Sequence, residues 1–159
     1  MEILIMTQNE KDILLKDLCA RLPYDVKFPI TWPDPITSEP IETIGTISDI
    51  NRYGIVSFVW TYEEAEVLQK NAIHILDIKP YLFPLSSMTE EQYNEMQTIS
   101  GKDCMEHMEI EKEWRNNSPF THLPLYQHRV IEFFHKYHFD YRGLIPLGLA
   151  IDATGLNIY

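Results

Sequence analysis

Four of the six histidines lie close together in the chain, at His122, His128, His135 and His138. His128 and His135 are seven residues apart, which puts them on one face of a helix, and His138 follows three residues after His135. A zinc ion needs three or four N, S or O ligands converging at about 2.0–2.3 Å, and Asp140 could add a carboxylate to this set. His128, His135 and His138 are therefore weak metal candidates. His-x-x-His is a short pattern, and packed or surface histidines are the better account of it, so no cofactor is expected. Cys104-x-x-His107 carries no more weight.

Nucleophilic and nucleotide chemistry find less support. The chain has no Gly-x-Ser-x-Gly, no His-Glu-x-x-His, no phosphate loop and no Gly-x-Gly-x-x-Gly. Cys19 sits within a helical pattern at a position expected to be half-buried, where a thiol is inert. Asp152-Ala153-Thr154-Gly155 resembles a fragment of nucleotide-site motifs without a preceding buried strand. No catalytic residue is assigned, and the expected activity is binding.

Aromatic residues offer a different chemistry. Trp32, Tyr53, Trp60 and Tyr62 fall at or near the ends of expected strands, where small barrels form a groove for a ligand or peptide. Core and hairpin-edge packing is the competing account. A third candidate surface is electrostatic. Between Thr89 and Glu113 stand eight acids against two bases, including Glu106, Glu109, Glu111 and Glu113. That stretch holds −6 of the formal net charge of −11. Such a surface would dock a basic partner or mimic nucleic-acid charge. The same balance argues against direct binding of a nucleic-acid backbone, which needs Lys and Arg to release counterions.

The elements that must position these residues are legible at several points. Thr7 and Glu10 have capping-box spacing ahead of a helix with Ile13, Leu14, Leu18 and Leu22 inside and Lys11, Lys16 and Asp17 outside. Pro23 ends it. Val26, Phe28 and Ile30 then alternate with polar residues, as do residues 41–50, and Asn51-Arg52-Tyr53-Gly54 is a turn into Ile55–Trp60. Thr61 and Glu64 suggest a short helix to about Lys70, and Ile73–Ile78 reads as a central strand ended by Pro80. Thr89 and Gln92 open another helix, with Met88 stapled onto Tyr93. Cys104–Trp114 suggests an acidic helix, and Leu125–His138 one with an aromatic stripe. Asp140 caps a short turn beyond it.

The blocks Lys16-Asp17-Leu18-Cys19-Ala20-Arg21-Leu22-Pro23-Tyr24, Ile78–Thr89 and His138-Phe139-Asp140-Tyr141-Arg142-Gly143-Leu144-Ile145 resemble those of a family of uncharacterised proteins encoded by gut Bacteroidales and by their phages and mobile elements. The resemblance touches both ends and the middle of the chain. It implies a setting, and no catalytic residues.

The expected fold is α+β: a small antiparallel sheet or SH3-like partly open barrel, with an N-terminal amphipathic helix and a helical C-terminal half. A chain of 159 residues is expected to form one domain, with residues 1–86 as helix plus sheet and 87–159 as a helical part packed on it. The two cysteines suit a reducing compartment. The first residues lack a basic start, and no stretch approaches the roughly 20 apolar residues of a membrane span, so the expected location is cytoplasmic, with no membrane contact. The expected role is a non-enzymatic module of phage or mobile-element origin that contacts a protein partner or small ligand. An acidic inhibitor or decoy and a metal-dependent enzyme are the alternatives.

Overall fold

Thr7 starts the first helix as its spacing predicts. In the computed structural model its Oγ1 accepts from the Glu10 amide, and Glu10 Oε2 accepts from the Thr7 amide at 2.6 Å. The structure describes residues 6–34, 37–62, 67–100 and 128–159, the side chains of residues 61–62, 67–70 and 100 excepted. The chain divides into two compact units, Met1–Tyr81 and Leu82–Tyr159.

In the first unit, helix α1 (Gln8–Arg21) buries Leu14, Asp17, Leu18 and Arg21, which share one helical stripe. The sequence pattern had placed Asp17 outside. It is fully buried because Arg21, one turn later and equally buried, meets its carboxylate at 2.7 Å. Two opposite charges at i and i+4 enter the interior only as a pair.

A 3-10 turn, Leu22–Tyr24, leads into a meander of four antiparallel strands. These are β1 (Lys27–Pro33), β2 (Pro40–Ile50), β3 (Ile55–Tyr62) and β4 (Val67–His74), in that spatial order. Together they form a partly open half-barrel. Phe28 and Ile30 from β1, Ile47 from β2, and Val56, Phe58 and Trp60 from β3 point inward. Gly45 makes this possible on β2. A Cβ there would stand 3.0 Å from both the Phe28 and Phe58 rings, which meet edge to face across the strand at 5.3 Å. Between Ile47 and Asp49 the register slips, leaving Ser48 as the extra residue of a bulge. The slip brings Ile50 opposite Val56, so the inward phase resumes.

β1 is an edge strand. The Val26 carbonyl accepts from the Ile47 amide, so the alternation of a ladder turns the backbone of Phe28, Ile30 and Trp32 toward β2. Pro29 and Pro33 occupy outward positions, where a missing N–H breaks no bond of the sheet.

Three expectations fail at β4, the first being its place, since it stands at the end of the strand order and not at its centre. The helix expected up to Lys70 gives way to strand from Val67, and the strand expected over Ile73–Ile78 stops at His74. A capping box is worth about 1 kcal/mol, while β4 pairs with β3 along its whole length, from Tyr62–Val67 to Ile55–His74. Beyond it His74 Nδ1 accepts from the Leu76 amide and starts a 3-10 turn, Ile75–Asp77.

The second unit is helical and aromatic. Thr89 and Gln92 make the expected reciprocal cap on α2 (Glu90–Ser100). A further helix, α3 (His128–Lys136), contributes Val130, Phe133 and Phe134 to a core shared with Leu85, Met88, Tyr93 and Met96. Met88 and Tyr93 are both buried in that cluster, as the staple requires. A short ladder joins β5 (Tyr81–Leu82) to β6 (Ile151–Asp152), and Phe83 bridges Phe139 in parallel. No helix among the described residues is long and apolar enough to cross a membrane.

Candidate functional site

Of the four aromatic residues expected to edge a groove, Trp32, Tyr53 and Trp60 do not meet in one, and the Tyr62 side chain lies outside the described atoms. Trp60 is 2% exposed and belongs to the sheet's interior, so its ring offers a ligand no surface. Trp32 is half-buried, edge to face with Phe58 at 5.6 Å. Its cross-strand partner is Ile41, near the start of β2. Tyr53 follows the other end of that strand, 69% exposed, with the Arg52 guanidinium 4.8 Å from its ring centre. At about 3.3 Å per residue the two ends of β2 are roughly 30 Å apart along the strand. Tyr62 pairs through its backbone with Val67. Glu106, Glu109, Glu111 and Glu113 lie outside the described residues.

The histidines of α3 also diverge. His128 is exposed, 3.7 Å from Glu132. His135 is buried and its Nε2 shares a 3.0 Å hydrogen bond with the Tyr141 hydroxyl. His138 stacks on Tyr159, ring centres 3.6 Å apart and planes 13° from parallel. Among the described residues no three His, Cys, Asp or Glu side chains are grouped to hold a metal ion. Cys19 is exposed rather than half-buried, and partial desolvation raises its thiol pKa, which keeps it protonated at neutral pH.

What the second unit does assemble is a cleft of about 330 Å³ at the end of α3. Its making begins with the helix terminus. The Phe139 amide donates to the Phe134 carbonyl and the His138 amide to the His135 carbonyl, the paired bonds of a Schellman stop. The stop requires a left-handed residue, and His138 fills that place at φ 57° where glycine is usual. Once turned, the chain is held on both sides. The His138 carbonyl accepts from the Phe83 amide, and the Asp140 amide donates to the Phe83 carbonyl. Asp140, buried, then accepts from the amides of Leu144 and Ile145, each at 2.8 Å, and fixes the next turn. Asp140, expected to N-cap a short helical turn, accepts instead from the fourth and fifth residues on, two further than a helix N-cap reaches, and closes a turn that is not helical.

Phe83, Tyr137, Phe139 and Tyr159 line the cleft with rings, and His138 lies among them. Phe139 and His138 are buried, while Tyr159 keeps 40% of its surface open. Ser87, Thr89, Gln92 and Lys136 supply its polar lining. Lys136 donates to Glu95 at 3.1 Å and to the Tyr137 hydroxyl at 3.2 Å, and that hydroxyl donates to Glu95 at 2.7 Å. These bonds tie α2 to α3. The hydrogen bond from Tyr137, with the charge of Lys136 behind it, holds the Glu95 carboxyl below its usual pKa. The Tyr137 and Glu95 contacts together raise the pKa of Lys136, so the ammonium stays charged.

Sequence reasoning missed Phe83, Gln92, Tyr137 and Tyr159 as one site, since they come from separate segments. The one local signal was the His138–Ile145 block, which holds the left-handed histidine and the capping aspartate side by side. Comparison with protein-family models, with curated proteins and with solved structures found no match to this chain.

Proposed function

We propose that the protein is a non-enzymatic binding module of phage or mobile-element origin, and that the cleft of its second unit holds a small ligand. The observation that carries the reading is the cleft itself: about 330 Å³, walled by aromatic rings and bordered by a few polar side chains. Small-molecule sites have this make-up, starting at roughly 300 Å³. His138 adds support. A non-glycine residue in the left-handed region costs of order 1 kcal/mol or more, and such strain concentrates where a side chain serves function. The resemblance of the Lys16–Tyr24, Ile78–Thr89 and His138–Ile145 blocks to those of the Bacteroidales and phage family supports the origin.

The test is a fragment screen read by NMR on uniformly labelled protein. Saturable shifts should gather on Phe83, Gln92, Tyr137, His138 and Tyr159, and Tyr159→Ala should remove them while the rest of the spectrum stays dispersed. Fragments that shift only residues elsewhere would reject the cleft as the ligand site.

A second reading, an acidic inhibitor or nucleic-acid-mimic decoy acting through Glu106, Glu109, Glu111 and Glu113, is supported by the −6 carried between Thr89 and Glu113. Such a surface would bind a basic partner with an affinity that falls steeply with salt.

A further inference from the structure

We infer that the cleft takes a small planar organic anion, an aromatic ring bearing an acid group, an assignment that rests on the binding reading above. The polar lining is weighted toward donors. Gln92 spends its carbonyl oxygen on the Thr89 amide, which leaves its NH2 to donate. Thr89 Oγ1 accepts from the Gln92 amide, which leaves its O–H. Lys136 uses two bonds on Glu95 and Tyr137, and an ammonium carries a further donor beyond those. Ser87 donates to the Pro84 carbonyl and presents only lone pairs. Among the described residues the lining contains no Asp or Glu side chain, in a chain whose net charge is −11. Glu95 stands behind Lys136 and is not part of the lining. A ligand group that accepts several hydrogen bonds and carries negative charge answers these donors.

The rest of the ligand is set by the rings. His138 and Tyr159 are stacked nearly parallel, and Tyr159, 40% exposed, is among the residues that line the cleft. Phe83 flanks it, its ring centre 6.0 Å from that of Tyr159. A flat ring stacks on an aromatic face, whereas a puckered one meets it only at its edges. A cavity of about 330 Å³ limits the ligand to one small ring system and its substituent.

Benzoate, benzamide and cyclohexanecarboxylate, titrated separately at neutral pH and followed by NMR, test charge and planarity apart. Benzoate should shift the Gln92 side-chain amide and the Tyr159 ring saturably, and bind about tenfold tighter than benzamide, the selectivity of one charge-assisted hydrogen bond. Cyclohexanecarboxylate should bind more weakly than benzoate. Lys136→Met should weaken benzoate and Lys136→Arg should restore it. Glu95→Gln should strengthen benzoate, because the carboxylate no longer shares the ammonium; a merely structural role for the Glu95–Lys136 pair predicts weakening in both Lys136→Met and Glu95→Gln. Benzamide matching benzoate, or Glu95→Gln weakening it, overturns the anion assignment while leaving the cleft a binding site. Benzoate failing to shift the cleft in a protein whose cleft other fragments occupy overturns it too. A cleft that no fragment reaches defeats the underlying reading instead.

Discussion

In the first unit the buried charges sit one helical turn apart on α1, Asp17 against Arg21. In the second, two of the buried polar groups reach further, His135 to Tyr141 and His138 to Tyr159, while Asp140 holds the amides of Leu144 and Ile145 and so closes a turn outside any helix. A local pair can be lifted out of a helix with little effect on the path of the backbone. Groups that tie one segment to another define that path. Polar burial therefore plays two roles in this chain, charge neutralisation in the first unit and the shaping of a cleft in the second.

The contrast is sharpest where one partner is removed. Asp17→Ala removes the carboxylate from beside the buried Arg21 guanidinium and should lower the stability of the first unit by about 3–5 kcal/mol. Asp17→Leu combined with Arg21→Met should recover most of that loss, because a buried pair replaced by apolar volume is close to neutral. Urea unfolding measures both, and equal losses in the single and double variants would erase the distinction. Asp140→Ala comes next. It leaves two amides without their acceptor and should cost about 2–3 kcal/mol. Unlike the α1 pair, it has no compensating second substitution. Its amide resonances at Leu144 and Ile145 should lose protection from hydrogen exchange, and unchanged protection would mean the turn holds itself.

His138→Gly is the smallest effect on stability and the most telling. Glycine relieves the left-handed backbone while losing the stack on Tyr159, two changes of about 1 kcal/mol each and opposite sign. Thermal unfolding should barely move, and fragment binding in the cleft should fall. A variant that gains stability and keeps binding would show the histidine to be a strained residue without a role.

Legibility in the sequence followed the range of the interactions. Thr7 with Glu10, Thr89 with Gln92, and the Asn51–Gly54 turn all depend on neighbours within four residues, and all were legible. The half-barrel was legible too, through the alternation of Phe28 with Ile30 and of Val56 with Phe58 and Trp60. Three features were not. β4 is strand because β3 pairs with it, a fact external to Val67–Lys70. Asp17 is the exception to range: Arg21 stands only four residues on, yet a charged residue reads as surface until its burial is seen. The expected groove assumed that aromatic residues at strand ends share an end, whereas Trp32 and Tyr53 lie at opposite ends of β2. The cleft needed Phe83, Gln92 and Tyr159 brought together, which no window of sequence contains.

Pro29 and Pro33 have a consequence beyond the fold of one molecule. An incoming strand that approached β1 would meet a proline, with no amide to donate, at two of its four outward positions. That edge of the half-barrel is a poor template for strand exchange or fibril growth between copies, and replacing both prolines with residues that carry an N–H would make it a better one.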